Sequence, residues 1–225
     1  FGNDLATFPG TGRVEFATFC ANNQIYVLGG SSGTGYVKDL YGYSPSENKW
    51  AALASYKESA YGVSVCTQDD NVYAVAGITS ARWYTYSSNT WTQFASLESD
   101  KKMECIFPTS FVYKDSIILI GGESLGESNL AVRDTIYRYD MINQEWAGCG
   151  NFPVPIKAGV SITSGDSVFV GLGNKPEDGP DERGLWINTS GNWSNWTRLA
   201  ETPPEMKNVC SGVLFKDCLY YIDNG

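Results

Sequence analysis

Residues 24–30 read QIYVLGG, a short apolar stretch that ends in two glycines, and versions of it recur along the chain. The recurrences are NVYAVAG at 71–77, SIILIGG at 116–122, SVFVGLG at 167–173 and CLYYIDNG at 218–225. Each begins about 50 residues after the one before it, which is the spacing of a repeated supersecondary unit. The pattern therefore predicts a chain built from similar β units.

A second landmark is an aromatic pair in which a Tyr precedes a Trp by seven positions. The pairs are Tyr43 and Trp50, Tyr84 and Trp91, and Tyr139 and Trp146. Turn-forming residues such as SPSENK at 44–49 separate the two members, so each pair is expected to face across a hairpin. Each unit then contains four strands: one before the glycine strand, the glycine strand, the Tyr strand and the Trp strand.

These landmarks resemble the kelch repeat, whose signature is a diglycine closing the second strand and a Tyr and a Trp on the third and fourth. A WD repeat fits worse, because the chain has no Trp-Asp dipeptide and no histidine. The resemblance covers essentially the whole chain. It implies an all-β fold, a kelch-type β-propeller with one four-stranded blade per repeat.

The repeat spacing predicts a single domain over residues 1–225 with four complete blades. Their approximate bounds are 14–53, 61–97, 107–149 and 157–199. Residues 209–225, together with 3–8, would supply a partial fifth blade. Because kelch propellers usually have six or seven blades, we expect the chain to be part of a six-bladed ring, with a five-bladed ring as the alternative.

The composition excludes several classes of function. Without histidine, the chain has no Ser-His-Asp or Cys-His nucleophile and no zinc site built on imidazole. Its net charge of −9 argues against nucleic acid as a partner. No apolar run is long enough to span a membrane, and no export signal is recognisable, so a soluble chain is expected; its compartment and oligomeric state are left open.

Basic residues recur where the strands of each unit begin. In a propeller, the loops before the first and third strands share one face, which these side chains are predicted to line. Ten of the sixteen cations fall there: Arg13, Lys57, Lys101, Lys102, Lys157 and Lys207 before inner strands, and Lys38, Arg82, Arg133 and Arg183 before third strands. Such a face attracts anionic ligands whatever the net charge. The alternative is solvated loop charges, or partners of the neighbouring acids Asp39, Glu58 and Asp134.

Glu123 is the residue best placed for acid–base chemistry. It directly follows Gly121 and Gly122 at the end of an apolar strand, so its carboxylate is expected to be partly desolvated and able to act as a general base. Arg133, across the same loop, has the forked guanidinium that holds a ligand carboxylate. An ordinary loop ion pair is the alternative.

A narrower resemblance rests on DLATFPGTGRVEF at 4–16 and NNQIYVLGG at 22–30, which look like a blade junction of the bacterial sialic acid mutarotase (N-acetylneuraminate epimerase) family. In that six-bladed kelch family, a Gly-Glu ending a second strand and an Arg after a short loop supply the proposed base and carboxylate clamp. Glu123 and Arg133 match them. GLWINTSGNW at 184–193 is similar to the family's Leu-Trp strand. The loop from Glu to Arg is longer here, and one blade is missing by comparison.

The resemblance implies a propeller that binds an anionic sugar and interconverts sialic acid anomers. Glu123 would move the anomeric hydroxyl proton, and Arg133 would hold the carboxylate. The predicted ligand contacts are Arg13, Lys38, Arg82, Lys157 and Arg183. No cofactor and no metal are expected, because ring opening requires only proton transfer. The other hypothesis is a protein-interaction module that captures acidic peptides on its cationic face, as in BTB-kelch ubiquitin-ligase adaptors.

The six cysteines form no CxxC pair and have no metal-ligand spacing. Because Cys20 and Cys66 end inner strands that look equivalent, buried free thiols are predicted. Glycosylation sequons begin at Asn188, Asn192 and Asn195, and their overlap with a predicted strand pair favours chance occurrence.

Overall fold

A computed structural model describes residues 5–78, 82–96, 104–125, 131–174, 184–201, 209–215 and 218–223. All the regular structure in these residues is β-strand, as predicted. The chain divides into two compact units, Phe1–Ile106 and Phe107–Gly225, so its organisation as a single domain stays a prediction. In the described ranges, no helix has the length and hydropathy that crossing a bilayer requires.

Unit 1 contains two four-stranded antiparallel sheets and a short ribbon. The strands are β1 (Arg13–Val14), β2 (Ala17–Ala21), β3 (Gln24–Leu28), β4 (Ser31–Ser32), β5 (Gly35–Tyr36), β6 (Leu40–Ser44), β7 (Lys49–Leu53), β8 (Ser64–Gln68), β9 (Asn71–Val75), β10 (Arg82–Ser87), β11 (Thr90–Ser96) and β12 (Cys105–Ile106). Sheet 1 has the order β2-β3-β6-β7, and sheet 2 the order β8-β9-β10-β11. In the ribbon β1-β4-β5, strand β4 directly follows the diglycine of sheet 1.

Unit 2 also contains two four-stranded antiparallel sheets, followed by a hairpin. Its strands are β13 (Thr109–Tyr113), β14 (Ser116–Ile120), β15 (Glu123–Ser124), β16 (Thr135–Asp140), β17 (Glu145–Asn151), β18 (Val160–Ser164), β19 (Ser167–Gly171), β20 (Gly184–Asn188), β21 (Thr197–Glu201), β22 (Val209–Phe215) and β23 (Cys218–Asp223). Sheet 3 has the order β13-β14-β16-β17, and sheet 4 the order β18-β19-β20-β21. Strands β22 and β23 form a hairpin.

The predicted aromatic pairing is confirmed in two sheets and corrected in a third. Tyr43 lies opposite Trp50, and Tyr139 lies opposite Trp146, with ring centroids 5.0 and 4.9 Å apart. In sheet 2, however, Trp91 lies opposite Tyr86, not Tyr84. The reason is the turn: only Ser88 and Asn89 separate β10 from β11, whereas four residues separate the strands in sheets 1 and 3.

The core of each unit lies between its two sheets, where alternate side chains of neighbouring strands meet. In unit 1, sheet 1 contributes Phe19, Tyr26, Leu28 and Leu40, and sheet 2 contributes Val72, Ala74, Tyr84, Tyr86 and Trp91. In unit 2, the corresponding cluster includes Phe111, Ile118, Ile120, Ile136, Val168, Val170 and Trp193. The central strand β14 is apolar because Ile117 to Ile120 are buried on both faces, whereas β19 is fully buried only on the face of Val168 and Val170.

The N-terminal segment packs on sheet 1 in the same way that the residues following β7 pack on sheet 2. The Trp50 indole donates to the carbonyl of Ala6 at 2.9 Å, just as Trp91 donates to the carbonyl of Ala54 at 2.9 Å. Phe8 lies edge-on to Trp50, as Tyr56 lies edge-on to Trp91. The segment thus takes the place of the end of an outer strand, although it forms no strand in residues 5–8. That it completes a fifth blade with 209–225 stays a prediction.

The predicted burial of the thiols holds for Cys66 and Cys105 but is wrong for Cys20, which is exposed. Cys66 lies opposite Tyr73 on β9, whereas the residue opposite Tyr26, at the same place on β3, is Phe19. Cys20 is therefore one residue further along than the position of Cys66. A shift of one residue turns a side chain to the other face of a strand.

Cys20 and Cys149 are expected to differ in reactivity, because Cys20 is exposed and Cys149 is partly buried. Burial raises the pKa of Cys149 to about 11, so its thiol stays protonated and unreactive at neutral pH and gains thiolate only as the pH approaches that value. Brief alkylation near pH 7.5 should label Cys20 well before Cys149, as measured by mass spectrometry of digested peptides. Labelling of Cys149 as fast as Cys20 at that pH would contradict the burial of the Cys149 thiol.

Candidate functional site

The site in unit 2 begins where β14 ends in Gly121 and Gly122. Gly121 has φ +65°, and a Cβ there would overlap the carbonyl oxygen of Ile156. The close approach lets Gly122 donate to that same oxygen at 2.8 Å. Glycine is required here both for the left-handed backbone and for the contact between sheets 3 and 4. As a result, Glu123 comes next to the residue that follows Ile156.

That residue is Lys157, whose ammonium forms an ion pair with Oε2 of Glu123. Glu123 is buried, with 6% of its surface exposed, and Lys157 is partly exposed. The backbone of Lys157 is itself held, because its N–H donates to Asn174 at 2.9 Å and its carbonyl accepts from Asn174 at 2.8 Å. The ion pair therefore joins the ends of sheets 3 and 4 in a fixed geometry.

Arg133 lies beside this pair on the strand segment opposite Glu123. Glu123 forms a bridge with Val132, and the backbone N–H of Arg133 donates to Gly122 at 2.9 Å. Its guanidinium donates to the hydroxyl of Ser124 at 2.6 Å. The structure thus brings Glu123, Arg133 and Lys157 to one end of sheet 3, with Ser124 as an additional member that the sequence pattern did not indicate.

The chemistry of this cluster follows from which atoms are engaged. A carboxylate as buried as that of Glu123 needs a compensating charge, and Lys157 supplies it. Only Oε2 is paired; Oε1 has no hydrogen-bond partner among the residues that the structure describes. One oxygen is thus fixed by an ammonium, and the other is available to accept a proton.

Lys157, predicted from the sequence as a ligand contact, is engaged in this ion pair. The contact between sheets 3 and 4, which the strand pattern does not encode, is what shows its partner. Glu123 directly follows the diglycine, and Lys157 directly follows the residue whose carbonyl the second glycine binds. Counting from the diglycine contacts, instead of from the strand starts, brings the two together.

Arg13, also predicted as a ligand contact, is enclosed by its neighbours. Its side chain is 2% exposed and forms a two-pronged ion pair with Asp39, one arm at 2.8 Å. It donates in addition to the carbonyl of Gly29 at 3.1 Å, and its guanidinium lies over the rings of Phe8 and Tyr41. The hydrogen bond to Asp39 raises the pKa of Arg13 further, against the opposing effect of burial. The structure places Arg13 in a closed packing position instead of on a rim.

The remaining predicted ligand contacts are dispersed. Arg82 has a side chain 49% exposed and pairs with Glu58 at 3.3 Å, and Glu58 also accepts from the Tyr84 hydroxyl at 3.2 Å. Lys38 is exposed, as is Lys57. Arg183, Lys101, Lys102 and Lys207 lie outside the described residues.

The cations before the third strands of sheets 1 and 3, Lys38 and Arg133, do not occupy equivalent positions in the fold. The N–H that donates to the second glycine belongs to Val37 in sheet 1 and to Arg133 in sheet 3. By this register, Arg133 corresponds to Val37, and Lys38 corresponds to Asp134. Loops of different length bring cations near the same point in the sequence without placing them at the same point in the fold.

No group of three or more metal-ligating side chains lies together in the described part of the chain.

Comparison with known proteins gives the following matches. Residues 12–55 match the model of the kelch motif. The chain is 24% identical over 209 residues to the N-acetylneuraminate epimerase of Pasteurella multocida (strain Pm70), covering 89% of this chain and 51% of that protein. It is 24% identical over 172 residues to Kelch-like protein 35 of Mus musculus, covering 74% of this chain and 28% of that protein. The chain thus spans about half the length, or less, of these relatives.

A solved structure, that of YjhT, has the same fold. It superposes with a TM-score of 0.77 at 14% identity, covering 97% of this chain and 79% of that one. The total number of blades stays a prediction. The four-stranded antiparallel sheets, the repeated diglycine and these matches lead to one conclusion: the chain carries a kelch motif and has the fold of a kelch-type β-propeller.

Proposed function

We propose that this kelch propeller binds an anionic sugar and interconverts its anomers, with sialic acid as the substrate. The observation that carries the proposal is the buried carboxylate of Glu123, which has Oε2 paired to Lys157 and Oε1 without a partner among the described residues. A relative of similar sequence is named N-acetylneuraminate epimerase, which supports the choice of sugar.

In the proposed reaction, Oε1 of Glu123 takes the proton of the anomeric hydroxyl. The bond between the anomeric carbon and the ring oxygen breaks, the open-chain ketone forms, and the ring oxygen receives a proton in return. Closure on the other face of the ketone gives the second anomer. Protons taken and returned balance, so the step requires no oxidant, reductant or cofactor.

Lys157 is a positioning residue in this proposal. Its ammonium fixes Oε2 and so directs Oε1, because a carboxylate held through one oxygen has a defined orientation for the other. Arg133 holds the sugar carboxylate through its guanidinium, and Ser124 orients that guanidinium by accepting its 2.6 Å hydrogen bond. An anion is the favoured ligand because, among the described residues of the cluster, the two cations Arg133 and Lys157 accompany one carboxylate, that of Glu123.

The experiment is NMR of freshly dissolved sialic acid with and without the full chain. Catalysed equilibration of the anomers is expected, with glucose as a neutral sugar whose equilibration stays at its spontaneous rate. An unchanged rate for sialic acid would overturn the proposal. Equal acceleration of both sugars would overturn the selectivity for an anion.

A second function, capture of an acidic peptide, is favoured by one observation in unit 1. Tyr36 is 52% exposed and stacks on Tyr61 with ring centroids 4.2 Å apart, and Lys38 nearby is exposed. Aromatic and cationic side chains together suit a protein partner. Binding of a labelled poly-glutamate peptide, lost in Lys38→Glu, together with no effect on sialic acid, would decide for this function.

A further inference from the structure

We propose that unit 2 carries a second ligand site, for a neutral sugar ring, at the end of sheet 3 opposite Glu123. A cavity of about 260 Å³ opens there, next to Ser116. Glu123 follows the other end of β14, so the strand separates the two places by at least ~13 Å. The cavity does not share a described side chain with the Glu123 cluster.

One wall of the cavity is the connection between β20 and β21, residues 189–196. It is longer than the corresponding connections in sheets 1 to 3. Asn188, almost fully buried, holds it from within: Oδ1 accepts from the N–H groups of Ser190 and Gly191, each at 3.0 Å. Nδ2 donates to the carbonyls of Asn192 and Asn195 at 2.7 and 3.0 Å. Because every polar atom of this amide is used, the loop is preorganised.

The floor of the cavity is aromatic. The loop places Trp193 edge-on to Tyr113, with ring centroids 5.1 Å apart, and both line the cavity. Gly191 passes close to the Tyr113 ring with φ +68°. At the mouth, Ile142 is 72% exposed, which is unusual for an isoleucine in a turn. Because Trp193 is only 6% exposed, the apolar surface open to a ligand is the partly exposed ring of Tyr113 and the side chain of Ile142, which suit the C–H face of a sugar.

The charged side chains that line the cavity balance one another, Lys114 and Arg138 against Asp115 and Asp140. Arg138 donates to Oδ2 of Asp140 at 2.6 Å, and Lys114 pairs with Asp166 at 3.4 Å. Oδ1 of Asp140 also accepts the backbone N–H of Ile142 at 3.0 Å, so the carboxylate is fixed in the turn. The wall therefore presents donors and acceptors side by side with little net charge.

This combination selects the class of ligand. The hydroxyl groups of a sugar need donors and acceptors, which the exposed side chains of Arg138 and Asp115, both lining the cavity, provide. An anion would be repelled by Asp140, whose carboxylate is held in place by three hydrogen-bond donors besides Arg138. A cation would be repelled by Arg138 and Lys114. A neutral polyol with an apolar face satisfies all parts of the cavity. Its volume is suited to one ring, being below the range of larger ligand sites.

The experiment is saturation-transfer NMR of the full chain with the methyl glycosides of glucose, galactose and N-acetylglucosamine, each at about 10 mM. At least one should receive saturation, with a dissociation constant in the millimolar range. Arg138→Ala should weaken that binding about tenfold or more, since a hydrogen bond from a charged donor is lost. Arg198→Ala is the matched control: Arg198 is similarly exposed and is paired with Glu201, but it does not line the cavity.

The outcomes separate this site from the one at Glu123. Glu123→Gln should leave neutral glycoside binding unchanged whether or not the anomer reaction is found. No saturation of any of the three glycosides would overturn the proposal, as would equal binding in Arg138→Ala. Loss of binding in Arg198→Ala to the same extent would also overturn it, because the effect would then not come from the cavity.

Discussion

Glu123→Gln should reduce the catalysed rate of sialic acid anomer equilibration by about 10²- to 10⁴-fold, the usual contribution of a general base. Glutamine has the same shape as glutamate and can still hydrogen bond with Lys157, but it cannot accept the proton. Binding of the sugar should persist, because Arg133 keeps its hydrogen bond to Ser124 and its place beside the site. The measurement is the NMR equilibration rate at saturating sugar.

Glu145→Gln is the matched control for this variant. Glu145 is exposed at the start of β17, in the hairpin at the opposite end of sheet 3. It should keep the full rate. The melting temperature of both variants must be measured, since Glu123→Gln also removes the negative charge that compensates a partly buried ammonium. A folded Glu123→Gln protein with more than about a tenth of the original rate would refute the role of Glu123 as base.

Gly121→Ala should destabilise the protein strongly, by about 3 kcal/mol or more, and much more than Gly165→Ala. Both glycines have positive φ, +65° and +57°, so both substitutions carry the cost of a left-handed backbone, about 1 kcal/mol. Only at Gly121 would the new Cβ overlap a backbone carbonyl, that of Ile156, while Gly165 has nothing within 4 Å. Overpacking adds ~1–3 kcal/mol, and the hydrogen bond from Gly122 to Ile156 is also endangered.

Urea unfolding of the two variants measures this difference directly. The free energy of unfolding of Gly121→Ala should lie at least ~2 kcal/mol below that of Gly165→Ala. Equal losses would show that sheets 3 and 4 do not approach as closely as the diglycine contact requires. The new Cβ at position 121 should push Ile156 away from sheet 3. Because Lys157 follows Ile156, its ion pair with Glu123 should weaken as well.

The fold could be predicted from the sequence because its signals are local and repeated. The apolar runs ending in glycine and the turn-flanked aromatic pairs each specify a strand or a hairpin within a few residues. The exception, Trp91 opposite Tyr86, arose because the turn after Tyr86 has two residues instead of four. Spacing in sequence translates into register only when the turn lengths are equal.

The candidate site could be predicted only in part, because its geometry depends on contacts between sheets. Glu123 stood out since it follows a diglycine at a strand end. Its ion pair with Lys157 depends on how closely sheet 4 approaches sheet 3, and the strand pattern does not encode that distance. Arg13 shows the same limit: its sequence neighbours suggest a loop cation, whereas Asp39, Phe8 and Tyr41 close around it.

A crystal structure of the protein with bound sialic acid tests the central claim most directly. The anomeric oxygen should lie within hydrogen-bond distance, about 3 Å, of Oε1 of Glu123, and the sugar carboxylate should contact the guanidinium of Arg133. Lys157 should remain on Oε2. A sugar bound away from Glu123, or with its anomeric oxygen out of reach of that carboxylate, would contradict the proposed reaction.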